Sequence, residues 1–112
     1  MAFTPYHNIL GATARDNELV AIGDILRKGI KAIQITNVDA SASATIGLYL
    51  YKGSTDAKTD QVIYILHDVV IPGGSTLVLE HPEILYDSIA YGLVVNLTSV
   101  SATQLLDVKV AY

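Results

Sequence analysis

The sequence predicts an all-β fold: a two-sheet antiparallel β-sandwich, jelly-roll-like, with about seven to eight strands and an N-terminal arm. Three observations carry that expectation. Apolar residues alternate with polar ones at a period of two in several stretches, which turns one face of each stretch toward a core. Those stretches are short and are separated by clusters of Gly, Pro, Ser, Asn and Asp, the residues that make turns. No stretch sustains a helical apolar period; the nearest, Asn17–Lys28, is weakened by β-branched residues and by Gly23.

Residues 1–17 read as an arm, with Phe3, Tyr6, Ile9 and Leu10 as the apolar residues of an otherwise small and polar segment. Such an arm either docks on its own sandwich as a terminal strand or lies across a neighbouring subunit. Residues 18–112 form one domain, the usual size for a single core. Its first strand is Glu18–Leu26, broken near Gly23. Lys28-Gly29 turns into Ile30–Val38, where Ile33 and Ile35 alternate with Gln34 and Thr36. A small polar loop, residues 37–43, leads to Thr45–Lys52, with Ile46, Leu48 and Leu50 on one face and Gly47, Tyr49 and Tyr51 on the other.

Gly53–Asp60 contains no apolar residue larger than Ala57 and reads as an exposed loop. Gln61–Ile71 is a longer strand with Ile63, Ile65, Val69 and Ile71 in phase; His67 shares that phase, so either it is buried or the strand bends there. Ile71-Pro72-Gly73-Gly74-Ser75 is a turn in which proline takes the second position and glycine the positive φ of the third. Thr76–Glu80 follows as a short strand ended by His81-Pro82-Glu83. Ala90–Thr98 keeps Leu93, Val95 and Leu97 in phase, and Leu106, Val108, Val110 and Tyr112 complete a terminal strand. An immunoglobulin-type sandwich fits less well, because the Cys–Trp–Cys core has no counterpart in a chain with neither residue.

The 51% hydrophobic and 16% charged composition falls well below the roughly 25% charge of an average domain. A small domain so poor in charge is expected to cover part of its surface with another subunit, because large exposed apolar patches mark interfaces. Net charge is −4, with a pI near 5.1, so nothing draws the chain to phosphate backbones or anionic lipid. Nucleic acid and membrane are not expected partners. The N-terminal residues lack a signal-peptide pattern, and no apolar run reaches the length of a membrane span.

Catalytic and metal chemistry find little support. Without cysteine, thiol catalysis and Cys-type zinc sites are excluded. His7, His67 and His81 have no recurrent ligand spacing with Asp68, Glu80 or Glu83. Asp56, Asp60, Glu80, Glu83 and Asp87 lie in loops or at strand ends, where solvation is the default. No Gly-x-Ser-x-Gly elbow or phosphate loop occurs. Asn96-Leu97-Thr98 matches a glycosylation pattern inside a strand and is read as chance. No enzyme and no cofactor is expected.

The tyrosines carry more. Tyr49, Tyr51 and Tyr64 fall opposite the core phase of their strands, and tyrosine is enriched where proteins meet. With Phe3, Tyr6, Ile9 and Leu10 they form the expected protein interface. Cross-strand pairing on an open sheet face and stacking against sugar rings are the alternatives, the latter making the chain a carbohydrate-binding module.

Lys28-Gly29-Ile30-Lys31-Ala32-Ile33-Gln34-Ile35-Thr36-Asn37 is followed by Leu48-Tyr49-Leu50, then by Tyr64-Ile65-Leu66-His67-Asp68-Val69-Val70-Ile71-Pro72-Gly73-Gly74-Ser75-Thr76-Leu77-Val78-Leu79 and Tyr91-Gly92-Leu93-Val94-Val95. Over residues 28–112 this pattern resembles small virion structural proteins of tailed bacteriophages, marine and cyanobacterial ones above all. The resemblance implies a capsid decoration (cement) protein that clamps major capsid subunits as a homo-oligomer, a trimer by preference. It would be made in the bacterial cytoplasm and carried in the virion. A neck, tail or fibre-associated component is the alternative within that class. No site residue is implied by it.

Overall fold

Alternation places nearly every expected strand where the chain forms one. The computed structural model describes residues 6–10, 16–23, 30–52, 61–80, 86, 90–98 and 105–111. Within them run β1 (Tyr6–Leu10), β2 (Asp16–Val20), β3 (Ala32–Asn37), β4 (Ala44–Lys52), β5 (Gln61–Ile71), β6 (Thr76–Glu80), β7 (Gly92–Leu97) and β8 (Leu105–Ala111). They make two four-stranded antiparallel sheets, β1-β8-β3-β6 (sheet A) and β2-β7-β4-β5 (sheet B).

The two sheets share one core. Ile33, Ile35, Leu106, Val108 and Val110 of sheet A meet Ile46, Leu48, Leu93, Val95 and Leu97 of sheet B, all nearly inaccessible to water. Each comes from the predicted inward phase of its strand. Burying such a side chain contributes about 1.5–3 kcal/mol, so this layer is the main stabilising element of the β-sandwich.

Pairing is nested about the segment between β4 and β5. β4 pairs with β5, β3 with β6, β2 with β7 and β1 with β8. The pairs β3–β8 and β4–β7 join these ribbons into sheets. Tyr6–Leu10 is thus a strand of the protein's own sheet, the first of the two placements open to the N-terminal segment; β2 begins at Asp16, inside that segment. Phe3 lies outside the described residues, as do the loop 53–60, the loop 99–104 and His81.

β5 departs from simple alternation. Ile46 pairs with Val69 but Leu48 with Leu66, and Tyr49 already with Tyr64, so β5 holds an extra residue at each step. Such bulges bend an edge strand and re-aim its side chains. Asp68 sits at the first of them with φ 53°, a left-handed conformation that Asp tolerates better than most residues. The strand therefore bends at His67, whose side chain is 65% exposed, and the strict inward phase expected through Ile63 is corrected. Ile63 is instead among the exposed large hydrophobic residues.

One buried polar side chain organises an end of the sandwich. Asn37 Nδ2 donates to the Ala42 carbonyl at 2.8 Å and to the Ile71 carbonyl at 2.9 Å, while Asn37 Oδ1 accepts from the Asp39 amide at 3.1 Å. Its backbone binds Ser75 and Gly74. In the adjoining turn the Ser75 amide donates to the Pro72 carbonyl at 3.1 Å, and the positive φ of 73° falls on Gly74. Pro72 therefore holds the first turn position, one earlier than expected, and Gly73 the second. Gly73 packs so closely on the 39–42 loop that a Cβ there would stand 2.9 Å from the Asp39 oxygen and the Ser41 nitrogen.

Candidate interaction surfaces

The outer face of sheet B carries the tyrosines. Tyr49 and Tyr51 are 3% and 4% exposed, so the expectation that both stand open as contact residues is corrected. β4 is central in its sheet, and its outward residues acquire a cover of their own. Val94, Ile22 and Val62 close over the two rings as a second apolar layer. The rings reach across β7 toward β2. Tyr51 donates to a Glu18 carboxylate oxygen, and the Tyr49 hydroxyl bonds Asp16, which also accepts from Asn96 Nδ2.

Burial raises both hydroxyls well above the ordinary tyrosine value, and the hydrogen bond and charge of Asp16 or Glu18 add to the shift. These two tyrosines are therefore neutral, fixed struts. What they can do chemically is donate a hydrogen bond and fill space.

Tyr64 behaves differently. On edge strand β5 it is 49% exposed, and the same strand also exposes Ile63 at 51% and Val70 at 56%. Its ring tilts against Tyr49 at 5.4 Å between centroids and meets the His67 ring edge-on at 4.7 Å. Gly47 makes room for it, since a Cβ there would lie 3.3 Å from Tyr64 Cε2. Both neighbours hold the ring in one pose while leaving a large part of it in water. His67 Nδ1 lies 3.6 Å from an Asp68 carboxylate oxygen at the bulge, both side chains being exposed.

The remaining expected interface residues divide. Ile9 is buried at 2% and belongs to the core, so it is corrected from surface to interior. Leu10 pairs with Leu105 through the backbone, and its side chain lies outside the described residues. Tyr6 is 67% exposed on β1, on the other sheet from Tyr64. The structure therefore brings Tyr49, Tyr51 and Tyr64 together on one face and leaves Tyr6 apart.

Comparison with protein-family models, with curated proteins and with solved structures gave no match. Among the described residues no three His, Cys, Asp or Glu side chains gather as metal ligands, and no helix is long and apolar enough to cross a membrane. Two exposed features are left to interpret. One is the set of half-exposed apolar side chains on β5, where Tyr64 stands outward as its phase predicts and Ile63 is exposed because the bulges interrupt the inward phase. The other is the outer face of sheet A around Tyr6.

Proposed function

We propose that this chain is a bacteriophage virion structural protein, a head decoration (cement) component that works by protein–protein contact as a homo-oligomer, with a trimer as the expected number. The observation that carries the reading is the exposure of three large apolar side chains on one edge strand, Ile63, Tyr64 and Val70, each about half open to water. Apolar surface of this kind in a charge-poor domain marks a contact with another protein. The rings of Tyr49 and His67 support Tyr64 from behind, which lowers the entropy lost when it is covered.

Further support comes from topology and resemblance. The sheet orders β1-β8-β3-β6 and β2-β7-β4-β5, with pairing nested about the β4–β5 connection, are those expected when one long antiparallel ribbon rolls into a jelly roll, an architecture frequent in capsid proteins. The motifs over residues 28–112 point to the same class. On a lattice many modest contacts add through effective concentration.

The test is assembly. The purified chain should scatter light as an oligomer at micromolar concentration, or bind capsids of its parent phage. Ile63→Lys, Tyr64→Lys and Val70→Lys together should abolish that association and leave the β-type circular dichroism unchanged. A wild-type chain that stays monomeric and ignores capsids removes the proposal.

A further inference from the structure

The outer face of sheet A is unlike that of sheet B. Antiparallel register places Asn8, Asp107, Thr36 and Thr76 in one row across the four strands, and Tyr6, Lys109, Gln34 and Val78 in the next. The first row is knitted by side-chain bonds: Asn8 Nδ2 donates to Asp107 Oδ1 at 2.6 Å, and the Thr36 and Thr76 hydroxyls share a hydrogen bond at 2.9 Å. In the second row, among the described residues, the Gln34 amide and the Lys109 ammonium have no protein partner. A shallow depression of about 390 Å³ lies over these rows, lined by Tyr6, Asn8, Gln34, Thr36, Asp107 and Lys109.

We infer that this face binds a short neutral saccharide, with the Tyr6 ring as stacking platform and Asn8, Gln34, Asp107 and Lys109 as hydrogen-bonding groups. The chemistry of the lining selects the ligand class. An apolar ligand would have to strip water from Asn8, Gln34, Thr36, Asp107 and Lys109 with nothing to replace it. An anion or cation gains little, because Lys109 and Asp107 offset one another on the same strand. A polyol instead matches interleaved donors and acceptors, and the axial C–H face of a hexose ring suits an exposed aromatic side chain.

Dimensions agree. The volume lies near the low end of the ~300–1,000 Å³ common for small-ligand sites. Two strand spacings separate the Tyr6 and Gln34 backbones, about 10 Å, comparable to the length of a disaccharide. The rows are held by strands rather than loops, so the groups are positioned before a ligand arrives. This site is independent of the β5 contact, which lies on the opposite sheet.

The experiment titrates cellobiose, maltose and N,N′-diacetylchitobiose separately into isotope-labelled full-length chain and reads backbone amide shifts. At least one sugar should give saturable shifts at Tyr6–Asn8, Gln34–Thr36 and Asp107–Lys109, with a Kd in the millimolar range. Tyr6→Ala and Gln34→Ala should each weaken binding about tenfold, the loss of one ring or amide contact, while Tyr64→Ala leaves it unchanged. If Tyr6→Ala fails to fold, Gln34→Ala decides. No shift with any of the three sugars at about 20 mM, well above a millimolar Kd, overturns the inference. So do shifts that fall on sheet B and vanish with Tyr64→Ala.

Discussion

The Tyr51 hydroxyl donates to Glu18 on the far side of β7, and its ring fills the space that a side chain at Gly92 would occupy. Tyr51 and Gly92 are direct partners in the β4–β7 register, so the glycine is the notch through which one strand reaches past its neighbour to hold a third. Tyr49 and Asp16 repeat the reach one row along. Edge strand β2 is thereby tied to the centre of its sheet by side chains as well as by its backbone ladder.

Gly92→Ala is accordingly expected to destabilise the fold by about 1–3 kcal/mol, the range for overpacking a closed site. Urea unfolding measures it. In a Tyr51→Ala background the same substitution should cost almost nothing, because the ring it strikes is gone; a double-mutant cycle isolates that coupling.

Alkaline pH should loosen the same straps. Both hydroxyls are held above their ordinary value of 10.0, so the folded state keeps protons that the unfolded chain releases. Their contribution is complete below about pH 10 and is lost as pH rises beyond it, with a slope of about 1.4 kcal/mol per pH unit for each ring. Unfolding free energy measured across that range should fall accordingly. Tyr49→Phe with Tyr51→Phe should flatten the dependence.

Asn37→Ala removes two donated hydrogen bonds and one accepted bond at a site closed to water. Leaving the Ile71 carbonyl unmet in the interior, with the Ala42 and Asp39 groups nearer the surface, should cost about 2–4 kcal/mol. The urea midpoint should fall while the slope of the transition is kept.

Adjacent glycines in the turn should fail for different reasons. Gly74→Ala meets open space but must hold φ at 73°, a cost of about 1–2 kcal/mol that Asn in place of Ala recovers in part. Gly73→Ala drives a methyl against backbone atoms of the 39–42 loop, and no choice of small residue rescues it. Thermal unfolding of the Ala and Asn variants at both positions tells the two mechanisms apart.

Much of the sandwich can be read from the chain because a period of two survives wherever one face alone is buried. Gln61–Ile71 and Thr76–Glu80 agree residue for residue with β5 and β6, each bounded by turn residues. The period is blind to what covers the other face. Tyr49 and Tyr51 look outward by phase, and only Val94, Ile22 and Val62, brought from distant parts of the chain, bury them. A bulge is equally invisible until pairing is known, so the inward series through Ile63 runs past the point where β5 bends. By sequence alone β1 stays open between a terminal strand at home and an arm across a neighbour because Tyr6-His7-Asn8-Ile9-Leu10 has a weak pattern, and pairing with β8 gives it its form. Of the residues expected to make contacts, Tyr6 and Tyr64 are the two seen at the surface, while Ile9, Tyr49 and Tyr51 serve the interior.

The concentric pairing of the strands has a consequence for synthesis. Every strand of sheet B has left the ribosome once Leu97 has, but β1 and β3 in sheet A are joined only through β8, the last to emerge. The nascent chain can thus finish one wall of the sandwich and hold its inner flank bare until residues 105–111 arrive. That interval is when a chaperone would have something to grip, and when crowded nascent copies are most exposed to mispairing.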